Sequence, residues 1–128
     1  MDWSRYPNFT EAELACRHTG RNLMHPETMA RLQRVRDHYG RPMRISSGYR
    51  APSHTAERGT APPGAHAMGR AVDVLVHGAD ALQLIVIALA QGFHGIGVQQ
   101  KGPHASRFIH LDDMHTESGF QRPAIWSY

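Results

Sequence analysis

The 128-residue sequence holds a single cysteine, Cys16. An intrachain disulfide is therefore impossible, and so is a zinc site built from several thiolates. Cys16 reads as a small buried apolar residue. Long hydrophobic runs are also missing. The longest, "LIVIALA" from Leu84 to Ala90, is too short to span a bilayer, so no membrane insertion is expected. The opening residues "MDWSRYPNF" carry an early acid and no apolar segment of the secretory kind. The expectation is a chain made in the cytoplasm without a signal peptide, which reaches any outside target by release or delivery. Lysine is nearly absent, and arginine carries the positive charge. A net charge of +3 and an isoelectric point near 9.5 favour anionic partners such as nucleic acid, phosphate polymers or a carboxylate-rich wall. Yet the basic residues are scattered, with no basic stripe and no aromatic platform, and no nucleic-acid partner is expected. There is no internal repeat.

What is present suits one soluble domain over residues 1–128, long enough to bury a core without staples. "TEAE", Thr10 to Glu13, is a capping box opening a short helix to about Arg17. "HPETMARLQRVRDHYG" is a second helix. Pro26 and Glu27 suit its first turn, Met29, Leu32 and Val35 form its core stripe, and Gly40 stops it. "PMRISSGYR" holds a short strand, followed by a long Pro/Gly/Ser/Thr-rich loop from Ala51 to Gly64; long loops inside compact domains tend to be functional. "RAVDVLV" is a strand with Val72, Val74 and Val76 on one face and Ala71, Asp73 and Leu75 on the other. "GADALQLIVIALAQG" is a helix started by Asp80 or the preceding turn. Being apolar nearly all round, it is expected to be buried on several sides. "GIGV" is a short strand, and "RFIHLDD" a last one with Phe108, His110 and Asp112 sharing a face. The tail "RPAIWSY" is expected to pack its aromatics back on the body. This order predicts an α+β domain with a small antiparallel sheet flanked by helices.

Ten histidines are the unusual number. Most read as surface residues, but His66 sits in "GAHAMGRAVDV", between glycines and seven residues before Asp73, and His110 lies on the last strand. Two imidazoles and a carboxylate make a three-ligand zinc site whose fourth position stays open for water, the arrangement that separates catalytic from structural zinc. Asp73 and His110 stand on strands and His66 at a loop–strand junction, so each would be held rigidly. The competing reading of the spacing is a satisfied polar network.

Three stretches carry a family resemblance: "ISSGYRAPSH" (Ile45 to His54), "GAHAMGRAVDV" (Gly64 to Val74) and "HGIGVQQKGPHASRFIHLDD" (His94 to Asp113). Together they resemble the zinc peptidases of the D-alanyl-D-alanine carboxypeptidase type, with the hedgehog/DD-peptidase fold, which include phage and bacterial peptidoglycan peptidases. The resemblance implies that His66, Asp73 and His110 bind Zn2+ and that Arg50 faces the substrate. An arginine fork there would hold a carboxylate or stabilise an oxyanion; the alternative is a structural salt bridge, for instance to Glu57. Ser47 and Gly48 read as turn residues that aim Arg50, with Ser47 also a candidate for substrate binding. The sequence departs from the family at one place. Many members carry an acidic residue three positions before the last zinc histidine, where this chain has Arg107. His104 is then the favoured acid–base residue, with Asp112 as support for a ligand imidazole or as base, while Asp113 points the other way. His54 and Glu57, in the long loop, are candidates for lining the cleft, the alternative being a solvated loop.

The reading that follows is a monomeric zinc metallopeptidase that cuts an amide bond in peptidoglycan stem peptides or cross-links, as a phage or prophage lysis protein or a virion-associated part. The alternative is a non-catalytic virion or wall-binding module that keeps the fold, suggested by the missing acid before His110. A nuclease has only the basic charge and the histidines in its favour.

Overall fold

The computed structural model describes residues 1–54 and 64–128; Glu57 lies outside them. The chain folds as α+β, with three α-helices and one five-stranded mixed sheet among the described residues. Helix α1, Glu11–Leu14, opens on the capping box: Thr10 Oγ1 accepts from the Glu13 N–H at 3.2 Å, and Glu13 Oε1 accepts from the Thr10 N–H at 2.7 Å. It ends at Leu14, earlier than the sequence reading. Arg17 folds back instead of continuing the helix and donates to the freed carbonyls of Ala12 and Glu13. Helix α2, Pro26–Tyr39, is capped by His25, whose Nδ1 accepts from the Glu27 N–H, and stops at Gly40 with φ 71°. Helix α3, Gly78–Ala90, follows His77, which makes no side-chain cap; Asp80 is paired with Arg41.

The strands are β1 (Arg44–Ser47), β2 (Ala71–Leu75), β3 (Gly95–Gln99), β4 (Phe108–Asp112) and β5 (Ala124–Ser127), in spatial order β1-β2-β4-β3-β5. The first four pair antiparallel, as the sequence reading has it. The tail adds a fifth strand that the reading lacked, and it runs parallel to β3. The cause is where β4 stops. Asp112 ends β4 opposite Gly95, the start of β3, so the chain re-enters the sheet at that same end, with Ala124 beside Gly95 on the edge that β4 leaves open.

Alternation along the strands divides the sheet. Val72, Val74, Ile96, Ile109 and Leu111 point to the helices and, with Leu14, Met29, Leu32, Val35, Leu84 and Phe93, form the core. α3 departs from expectation here. Ala81, Leu84 and Ala88 are buried, but Leu82, Val86 and Leu89 are exposed. Only α2 and the sheet cover it, and the described chain has no further layer for its outer face. The opposite side of the sheet carries the polar residues, and there lies the site.

Candidate metal centre

One cross-strand row sets the geometry. Asp73 on β2 pairs with His110 on β4, His110 with Gly97 on β3, and Gly97 with Trp126 on β5. Paired residues share a face, so Asp73 and His110 project side by side. His66 joins them from the turn that leads into β2. Hydrogen bonds from the Ala67 and Met68 N–H groups to the Gly64 carbonyl close that turn, and the Arg50 N–H ties it to β1 through the His66 carbonyl. Gly69 completes the turn at φ 71°, where a Cβ would stand 2.1 Å from the Leu23 carbonyl oxygen.

All three side chains are buried. His66 Nδ1 lies 2.8 Å from the Gly48 carbonyl oxygen, which can only accept, so that nitrogen carries the proton and Nε2 presents a lone pair. His110 Nε2 lies 2.7 Å from Asp112 Oδ2, which likewise places its proton on Nε2 and turns Nδ1 inward. Asp73 splits its carboxylate: Oδ2 accepts from Arg50 at 3.2 Å, and Oδ1 faces the two imidazoles. Three acceptors therefore converge. His66 Nε2 and His110 Nδ1 are 3.2 Å apart, His110 Nδ1 and Asp73 Oδ1 3.2 Å, and His66 Nε2 and Asp73 Oδ1 3.3 Å. Three such atoms held that close could share one cation between them. In a tetrahedral zinc site with bonds of about 2.0–2.1 Å, neighbouring ligand atoms stand about 3.3–3.4 Å apart. The donor set and its spacing fit such an ion.

The surroundings fix each ligand. Asp112 is fully buried and gripped by Arg122, with Nε on Oδ1 at 2.9 Å and Nη2 on Oδ2 at 2.8 Å. Burial alone would raise the Asp112 carboxyl, but its bonds to His110 and Arg122 hold it below the usual carboxylate range. Asp73 shows the same balance in the metal-free protein: burial opposes ionisation, and His110 and His66, when protonated on the nitrogens that face it, outweigh that cost. Burial would lower His110, yet Asp112 and Asp73 on its two nitrogens raise it. Arg50 also donates through Nε to Ser47 Oγ at 3.0 Å, so Ser47 aims the guanidinium.

The other residues singled out from the sequence fall as follows. Asp113 turns away from the site and ties β4 to α2 through Thr28 and Arg31. His104 is exposed on a 3-10 turn, His104–Ser106, with its ring stacked on His77 at 4.6 Å. Phe108 lies between that turn and His110 along the strand. Arg107 donates to the Gly102 carbonyl. His54 is half-buried, edge-on to His18 at 6.2 Å.

Sequence reasoning missed three residues of the tail: Arg122, Trp126 and Tyr128. Trp126 packs against His110 at 5.1 Å and Arg122 lies over the indole. The available signal was "GIG", glycines two apart in a strand, which marks close approach of other groups over that face. A Cβ on Gly95 would strike Asp112 and Arg122, and one on Gly97 would strike Trp126, Tyr128 and His110. Burial pushes the Tyr128 phenol up from its ordinary value.

Among the described residues, no helix is long and apolar enough to cross a membrane. A comparison with curated proteins returns no match. A family model described as Peptidase M15 matches residues 7–112, a span that takes in His66, Asp73 and His110 and stops before Arg122. Members of that family are typically zinc-dependent, and the His66, Asp73 and His110 group could bind a metal. The chain belongs to the Peptidase M15 family, metallopeptidase-type hydrolases that act on peptides.

Proposed function

We propose that the protein is a zinc peptidase that hydrolyses an amide bond in peptidoglycan stem peptides or cross-links, in the service of phage or prophage lysis. The observation that supports this most is the convergence of His66 Nε2, His110 Nδ1 and Asp73 Oδ1, each with its other polar atom already engaged. Zinc held there would supply a Lewis acid and water acidified toward neutrality. The chain's own residues do the rest. Gly48 and Asp112 keep each imidazole in the tautomer that binds metal, and Arg122 holds Asp112. Arg50 lies against Asp73 with its side chain 22% exposed, so the same guanidinium that orients the ligand carboxylate is partly open to solvent, where it can meet a substrate carboxylate or the oxygen that gains charge. Ser47 positions that guanidinium and borders substrate. His104 stays the candidate for carrying a proton to the leaving amine, from a turn that would have to swing toward His110 when substrate binds.

Two observations favour a second reading, a wall-binding module without turnover: Arg107 stands where many relatives have an acid, and the His104 ring stacks on His77. One experiment separates the two. Purified cell wall is digested with zinc-loaded protein, with and without chelator, and the released muropeptides are identified by mass spectrometry. New termini that vanish with chelator support the peptidase and name the bond. Retention on the wall without new termini supports the module.

A further inference from the structure

β5 brings two polar aromatic side chains over the middle of the site row. Gly97 leaves that place empty of a side chain. Around the point where its Cβ would stand lie Trp126 Nε1 at 2.7 Å, the Tyr128 hydroxyl at 2.9 Å and His110 Cβ at 3.0 Å. The Tyr128 hydroxyl therefore stands beside a metal-ligand histidine. It lies within electrostatic reach of Asp73, Arg50 and Asp112 as well. Its ring rests on Phe108 at 5.2 Å. An indole N–H can only donate and a phenol oxygen can accept, so the Trp126 N–H on the same side of Gly97 can engage the phenol oxygen and leave the O–H to point elsewhere. The Tyr128 residue as a whole is about half exposed.

We infer that Tyr128 is a further catalytic residue, whose O–H donates a hydrogen bond to the substrate carbonyl oxygen as negative charge builds on it, with Trp126 as the residue that positions it. Arg50, on Asp73 at the β1–β2 side, and Tyr128, on the β3–β5 side, then flank the three ligands from opposite ends of the row. A cationic fork and a neutral donor reach one oxygen from two directions, the arrangement that stabilises a developing oxyanion. This role rests on the peptidase reading above. It also gives the tail a function that the family match, ending at residue 112, does not assign.

The test is Tyr128→Phe, which keeps the ring on Phe108 and removes only the hydroxyl. Two readouts are taken on zinc-loaded protein: kcat and KM on a wall peptide, and calorimetric binding of a phosphinic peptide, a stable mimic of the tetrahedral oxyanion. The variant is expected to lose roughly 10- to 100-fold in kcat with KM little changed. It is expected to bind the phosphinic peptide about tenfold more weakly while holding zinc as tightly as before. Trp126→Phe should weaken the same mimic by a smaller factor. If the unmutated protein cleaves and binds but Tyr128→Phe equals it in both readouts, the role of Tyr128 falls and the peptidase reading stands. If the unmutated protein neither cleaves nor binds the mimic, both fall.

Discussion

At the scale of single residues, the site is defined by which nitrogen of each imidazole carries its proton. Asp112 makes that choice for His110, so Asp112→Asn should weaken zinc binding about 10- to 100-fold, read by competition with a chromophoric chelator; unchanged affinity would remove Asp112 from the account. The same contacts set a pH window for the metal-free protein. His110 is raised in the fold, so its contribution is complete below the unfolded histidine value of about 6.5 and is lost as pH climbs through the folded one. Asp73 and Asp112 are depressed, so theirs is complete above the unfolded aspartate value of about 3.9 and is lost as pH falls toward the folded ones. Urea unfolding without metal should therefore find a plateau between about pH 4 and 6.5, with stability falling on both sides. Zinc, which binds only the deprotonated ligands, should restore the alkaline side. The grouping of His66, Asp73 and His110 was legible because strand alternation faces Asp73 and His110 outward and because the family resemblance, more than spacing, singled out all three. Arg122, Trp126 and Tyr128 were not, since their place depends on where an unpaired strand edge receives the tail.

Among the elements, two glycine positions show how backbone packing reaches the metal. Gly48 gives its carbonyl to His66, and a Cβ there would stand 2.6 Å from the Leu14 carbonyl oxygen, a backbone atom that cannot move aside cheaply. Gly48→Ala should therefore push the β1 turn off α1, costing about 1–3 kcal/mol in unfolding free energy and weakening zinc binding along with it. Full affinity in a folded variant would show that His66 does not need that carbonyl. The helices and inner strands were readable from caps, stop glycines and period-two valines. α1 came out shorter than expected because the Arg17 side chain competes for its last carbonyls. β5 went unread because "AIWS" is short and its burial alternates only weakly at a sheet edge.

For the whole molecule, the sheet works as a wall between two environments: an apolar layer under α2 and α3, and a polar face where histidines, carboxylates and arginines are mutually satisfied. The outer stripe of α3, Leu82 with Val86 and Leu89, belongs to neither. Hydrophobic composition alone implied burial, but composition does not say how many layers the chain has left to supply. Val86→Lys should therefore leave urea stability within about 0.5 kcal/mol, where a buried valine would lose far more. The central claim concerns the polar face, that His66, Asp73 and His110 together hold one divalent ion with a position left for water. X-ray absorption on the zinc-loaded protein tests it most directly. The account predicts four light-atom neighbours, two of them imidazole nitrogens at about 2.0–2.1 Å and the others oxygens. A sulfur neighbour, a third imidazole, or a shell of oxygens alone would contradict it.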